Sequence, residues 1–346
     1  MTDFRSIGRR AVTITDVALA ADVSPSTVSR VLTGSHNVRA APERRVLEAV
    51  SRLGYRPNAA ARALRRNQSM TLGVVFPHLD TPQQFSILKG VGSGSQDGGY
   101  SLLVTNAQGS ADLYETLIQR LYEARVDGLF LAAPIGMTSA IEPYRRAGIP
   151  VLALFTKDNA APELPLVTSS EDAAIRCAVE RAVQLGHRVI GQVVNRVELE
   201  FSSRVSEVDR VVNACNVAGT KHLVEVLEGW PQQNDGAAAL GRLLTLAERP
   251  SVVICRDQYL EGILPRLGEM GIAVPADLSL ISFNDSRWNR WISPPISTIS
   301  VDSDDIGHTA ARVMLDWLNG SPPELTTYSS PAEWIEGASL GPAARS

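Results

Sequence analysis

The chain has 346 residues, of which 44% are apolar and 20% charged, with a formal net charge of −4. That length allows two or three domains, and that composition excludes a disordered, collagen-like or coiled-coil chain. The charge is unevenly spread: residues 1–66 carry twelve Arg, no Lys and five acids, a net of +7 against −11 for the remainder. A short basic head on a long acidic body points to a polyanion-binding module on a separate domain, with an idle basic tail as the bland reading.

Residues 1–12 read as an N-terminal arm. From Thr13, Ile14, Val17, Ala18 and Ala21 recur at i, i+3, i+4, i+7 and predict one helix face. Asp22 falls where a tight turn needs positive φ, which Asp tolerates. Ser24 then serves as N-cap and Pro25 as the first residue of a second helix, where a missing N–H costs nothing. Val28, Val31 and Leu32 are its buried stripe. A third helix is expected from about Pro42–Glu43, burying Val46, Leu47, Val50 and Leu53, and ending at Gly54. Asn58 can cap a short Ala59–Leu64 segment, and Arg65–Ser69 reads as a linker. From Thr71 the rhythm changes to apolar strand runs separated by helix-length stretches: Leu72–Phe76, Ser101–Thr105, Gly128–Ala132, Val151–Phe155, Val189–Val194, Leu223–Leu227, Val252–Cys255 and Leu278–Phe283. Such alternation predicts parallel sheets covered on both faces, and the length suggests two α/β lobes. Gly90-Val91-Gly92-Ser93-Gly94-Ser95 lacks the Gly-Lys-Ser/Thr ending of a phosphate loop and reads as a poor, mobile helix.

No apolar run approaches the roughly 18 residues of a membrane span, and the N-terminus has no apolar signal region. Three widely spaced cysteines, Cys177, Cys215 and Cys255, fit neither a disulfide framework nor a metal knuckle. The five histidines show no ligand spacing. A cytoplasmic protein with reduced thiols, no metal, no cofactor and no membrane partner is expected, and no catalytic constellation is found.

Two short helices joined by a tight turn and followed by a third make a helix-turn-helix, a pattern that many small bundles share. The run Val12 to Arg65 is more specific. Its Ser-x-x-Thr-Val-Ser-Arg-Val segment from Ser24, and its Gly-Tyr-x-Pro-Asn-x-x-Ala-Arg-x-Leu segment from Gly54, resemble the DNA-binding head of the lactose-repressor (LacI/GalR) family of transcription regulators. The resemblance implies an all-α helix-turn-helix head over 13–57, a hinge helix and linker over 58–69, and a two-lobed, periplasmic-binding-protein-like α/β sensor with parallel sheets over 70–340, followed by a tail at 341–346. It also implies that the second helix enters the major groove with Pro25, Ser26 and Arg30 at base edges. Arg30 suits guanine O6 and N7, whereas Pro25 offers only apolar contact and is equally explained by its place at the helix start. Thr13, Ser24, Thr27, Ser29, Asn37 and Tyr55 match phosphate contacts, which fix register. Asn58, Ala61, Leu64 and Arg65 match the hinge, with Leu64 as the minor-groove wedge. Two hinges prying one central step require a homodimer on a near-palindromic double-stranded operator.

In the sensor, the resemblance gives landmarks rather than a ligand. Arg204 and Trp230 match effector-binding positions. Elsewhere the chain departs from the family: Glu207 stands where Gly is usual, Phe155 where sugar binders have Asp, Arg256 where Asn is usual, and Asn284 before Asp285 where two Asp are usual. Acceptors are lost and a cation gained, so one reading is a small anionic effector held by Arg204 and Arg256. The other is that Arg256 points to solvent or pairs with Asp257 or Asp285. The expected function is an effector-switched, sequence-specific repressor and not an enzyme. The competing reading is a small-ligand-binding protein or enzyme with a vestigial head.

Overall fold

The computed structural model describes residues 12–32, 39–55, 68–132, 138–155, 163–195, 207–227, 235–284, 286–324 and 327–344. The chain divides into two units, Met1–Ser69 and Met70–Ser346.

In the first unit, local signals fix each helix end. Helix α1 (Ile14–Ala21) starts in a capping box: the Thr13 hydroxyl accepts from Asp16 N at 3.3 Å and the Asp16 carboxylate accepts from Thr13 N at 2.7 Å. It stops at Asp22, which takes the left-handed conformation expected of it (φ 53°, ψ 55°). Helix α2 (Pro25–Leu32) follows at once. Helix α3 (Ala40–Leu53) ends on Gly54 at φ 63°. It starts before Pro42, which sits in the first turn, where an N–H has no helical partner to lose. Val17, Ala18, Ala21, Val28, Val46 and Ala49 form the core. Leu47, expected inside, is 51% exposed. The buried stripe of α3 runs through 46, 49, 50 and 53, and Leu47 is turned about 100° from Val46.

The second unit is built on two six-stranded sheets. In the first, β1 (Thr71–Phe76), β2 (Ser101–Asn106), β3 (Gly128–Ala132), β4 (Val151–Leu154), β5 (Leu166–Ser170) and β11 (Thr327–Pro331) run in the order β11-β5-β4-β3-β1-β2. Every neighbouring pair is parallel. In the second, β6 (Val189–Asn195), β7 (Lys221–Leu227), β8 (Val252–Arg256), β9 (Ser279–Phe283), β10 (Ser297–Ser300) and β12 (Glu333–Ile335) run β12-β10-β9-β8-β6-β7. Here β12 pairs antiparallel with β10, an exception to the expected all-parallel sheets. The first lobe carries α4 (Pro82–Asp97), α5 (Ala111–Glu123), α6 (Thr138–Ala147) and α12 (Ser303–Leu318). The second carries α7 (Asp172–Gln184), α8 (Glu207–Ala218), α9 (Asp235–Leu244), α10 (Asp257–Met270) and α11 (Arg287–Trp291). The chain therefore passes between lobes three times, after β5, after β10 and after β11. The first and third passages are tied where Ala332 N donates to Ser170 O at 2.8 Å.

Two expectations are corrected here. The glycine-rich run is not a loose helix: it lies inside α4 and lets α12 approach closely. A Cβ on Gly90 would stand 2.1 Å from Asp304 O, one on Gly94 2.6 Å from Ala311 Cβ, and one on Gly307 2.3 Å from Ile87 O. The glycines are there for interhelical contact, not for freedom. The tail expected at 341–346 also starts too early. Gly341 N donates to Ser279 Oγ at 3.1 Å, Gly341 O lies 2.9 Å from His187 Nε2, and Ala343 N donates to Leu185 O at 2.9 Å. Buried His187 also meets Ser251 Oγ at 2.8 Å and joins this end of the chain to the second lobe.

Candidate nucleic-acid interface and effector cleft

The first turn of α2 is the polar end of the head. Ser24 Oγ accepts from Thr27 N at 3.2 Å, the expected N-cap, and lies 2.7 Å from Ser26 Oγ and 2.9 Å from Thr27 Oγ1. Ser24, Pro25, Ser26 and Arg30 are exposed, whereas Thr27 and Ser29 are half-buried. One side of α2 thus offers hydroxyls and a guanidinium, while Val28 on the other is fully buried. The N-terminal end of a helix also carries partial positive charge, which suits phosphate. Thr13 is committed to its cap, its N–H and hydroxyl both donating to Asp16 Oδ2 at 2.7 Å. Half-buried Tyr55 packs on the head core. Asn37, Asn58, Ala61, Leu64 and Arg65 lie outside the described residues.

The cleft residues stand at the carboxyl ends of strands, where ligands of α/β sheets bind. Phe155 follows β4 with φ 51°, and Asn284 follows β9 with φ 69°. Both are non-glycine residues in a sparsely populated region, a state that clusters at binding sites. Arg256 ends β8. Its Nη2 lies 2.7 Å from Glu207 Oε2, with the Glu207 side chain only 8% exposed. Glu207 in turn accepts from Gln192 Nε2 at 3.1 Å, and Gln192 Oε1 lies 3.0 Å from His222 Nε2. Two of the departures from the family therefore answer each other: an acid placed where Gly is usual neutralises an arginine placed where Asn is usual. Their opposite charges are the one sign in the sequence that the two positions meet.

Asp257 begins α10 beneath this pair. Burial pushes its carboxyl up to about 6, against the opposing pull of Arg256. Burial likewise pushes the His222 imidazole down to about 4. Asn284 is held from both sides: its carbonyl accepts from Asn289 Nδ2 at 3.0 Å, and its Oδ1 accepts from Gln83 Nε2 at 3.1 Å. Gln83 belongs to the first turn of α4, so this bond joins the two lobes directly. Sequence reading missed Gln83, because nothing local marks a glutamine in a first turn as a cleft residue. Arg204, Trp230 and Asp285 lie outside the described residues.

Residues 13–58 match the model for bacterial regulatory proteins of the lacI family, and residues 179–340 match a periplasmic binding protein-like domain. A lac repressor dimer bound to operator and the anti-inducer ONPF superposes with a TM-score of 0.84 at 25% identity, over 96% of this chain and 100% of that one. The chain thus carries a lacI-family regulatory domain and a periplasmic binding protein-like domain. Among curated relatives of this regulator, catabolite control protein A of Priestia megaterium is 27% identical over 311 residues, covering 89% of this chain and 93% of the relative. The HTH-type transcriptional repressor CytR of Escherichia coli (strain K12) is 29% identical over 315 residues, covering 90% and 91%. The regulator thus joins a helix-turn-helix DNA-binding head to a two-lobed sensor of the ligand-binding type, and its relatives are transcriptional repressors. No helix among the described residues is long and apolar enough to cross a membrane.

Proposed function

We propose that this regulator is a cytoplasmic repressor that binds a near-palindromic operator as a homodimer and is switched by a small molecule in the cleft between the sensor lobes. The observation that carries the reading is the first turn of α2, a cluster of exposed hydroxyls followed by exposed Arg30 and set on a fully buried three-helix core. Residues 13–57 are the head, 58–69 the hinge and linker, and the unit from Met70 onward the sensor. Arg30 reads guanine, Ser26 and Pro25 contact neighbouring base edges, and Thr13, Ser24, Thr27, Ser29, Asn37 and Tyr55 fix register on phosphates. Asn58, Ala61, Leu64 and Arg65 form the hinge, and Leu64 wedges the minor groove at the central step.

Dimerisation is supported by the sheet edges. The strands β2 and β7, each paired on one side only among the described residues, expose the apolar side chains of Leu103 (42%), Val104 (41%) and Val224 (37%). For the effector, Phe155, Arg204, Trp230, Arg256, Asn284 and Asp285 are the proposed contacts, with Gln83 added. Because Glu207 already meets the charge of Arg256, an anionic effector would have to rely on Arg204. Selection of bound duplexes from a random pool tests the function. A two-fold site of roughly 14–20 base pairs with a fixed central step is expected, and no enriched sequence with or without added metabolites would overturn it.

A further inference from the structure

We infer that Asp127 is the joint that fixes how the chain leaves the sensor toward the hinge, and is therefore a positioning residue for operator binding; this rests on the DNA-binding reading above. Met70 is the first residue of the sensor unit, so every covalent path from sensor to head passes through it. It is held at φ 53°, a left-handed conformation rare for a long side chain. Three hydrogen bonds hold it there. Met70 N donates to Asp127 Oδ2 at 2.8 Å, Met70 O accepts from Ser101 N at 3.0 Å, and Thr71 O accepts from Asp127 N at 2.8 Å. Asp127 thus holds the N–H of Met70 with its carboxylate and the C=O of Thr71 with its backbone N–H, bracketing the peptide that joins the two residues.

The sheet does not need the first of these bonds. The parallel register of β1 begins at Thr71, opposite Ser101 on β2, and the next residue, Leu72, stands opposite Gly128 on β3. The carboxylate acts one residue earlier, on an N–H that water could satisfy at a strand entry. What it adds is a fixed direction for the chain. Lobe movement can reach the head only through a physical connection with defined arrangements. A joint that swivelled would average that movement away, and would leave each hinge to find its partner from a wider range of directions.

The test uses the full-length protein and fluorescence anisotropy with two duplexes, one selected by the wild type and one of random sequence. Asp127→Ala is expected to lose at least tenfold in affinity for the selected duplex while binding random duplex unchanged, with the dimer and the thermal midpoint of the sensor retained. Two glycines inserted between Ser69 and Met70 leave the carboxylate bond intact and free the chain beyond it, and should give the same selective loss even if Asp127→Ala fails to fold. Asp127→Asn, which keeps an acceptor oxygen, should recover most of the affinity. Wild-type affinity in the insertion variant, or an equal loss on both duplexes, overturns the joint alone. A wild type that does not discriminate between duplexes overturns the DNA-binding reading, and the joint with it.

Discussion

At the scale of single residues, short local contacts hold the ends of the helices in the head. The Thr13–Asp16 box, the left-handed Asp22 and the terminal Gly54 each follow from a few neighbouring residues. Arg30 is the residue on which sequence reading rests most. Arg30→Ala is expected to relax guanine preference in each half-site at a cost of about 1–3 kcal/mol, measured by competition between operator variants. The cleft was less legible in the sequence than the head, because its bonds join distant residues: Arg256 to Glu207, and Gln83 to Asn284. The histidines supply a pH test. His222 titrates near 4 when folded, below its ordinary 6.5, because burial disfavours the charged form. The unfolded chain therefore binds more protons, and the neutral form stabilises the fold fully above pH 6.5. His187, lowered by burial and opposed by its bond to Gly341, acts in the same direction. Asp257, raised by burial to about 6, binds its proton more readily in the folded chain and opposes the histidines over the same range, so the test is the difference between wild type and His222→Gln. The wild-type thermal midpoint should fall relative to that of His222→Gln as pH drops from 6.5 toward 4, and a difference that does not change with pH would contradict the assignment.

At the scale of elements, the strands missed by sequence reading were β5, β10, β11 and β12, whose sequences LVTSS, STIS, TYSSP and EWI are short and mixed in polarity. Partners rather than their own apolar runs make them strands. The same holds for α4, whose glycines look like a weakness until α12 is packed against them. Two opposing effects meet there. Alanine for glycine inside a helix gains about 1 kcal/mol of propensity, but a new Cβ in a filled interface costs about 1–3 kcal/mol or more. At Gly94 the nearest atom would be 2.6 Å away, so the clash wins and Gly94→Ala should lower the sensor's thermal midpoint. At Gly92 the nearest atom would be 3.8 Å away, so Gly92→Ala should hold or raise it. Equal effects at the two positions would remove the close-packing account. The bond between Gln83 and Asn284 is the element-level link across the cleft. Gln83→Ala should alter operator affinity in the absence of any effector, since it changes the balance between lobe arrangements. An unchanged affinity would separate this bond from the switch.

At the scale of the whole molecule, the division into a basic head and an acidic body was visible in charge alone, and the unit boundary before Met70 agrees with the change of rhythm at Thr71. Charge says only that a polyanion is bound. Sequence-specific recognition needs the ordered α2 turn and, through it, discrimination between duplexes that nonspecific binding lacks. The most direct test compares the affinity of the full-length protein for its selected duplex and for random duplex at two salt concentrations. The account predicts a preference of about a thousandfold or more at physiological salt. Arg30→Ala and Leu64→Ala should each reduce that preference while the binding of random duplex and its salt slope stay the same. Equal affinity for both duplexes, falling with salt in parallel and untouched by either substitution, would contradict it and leave a basic head that binds DNA without reading it.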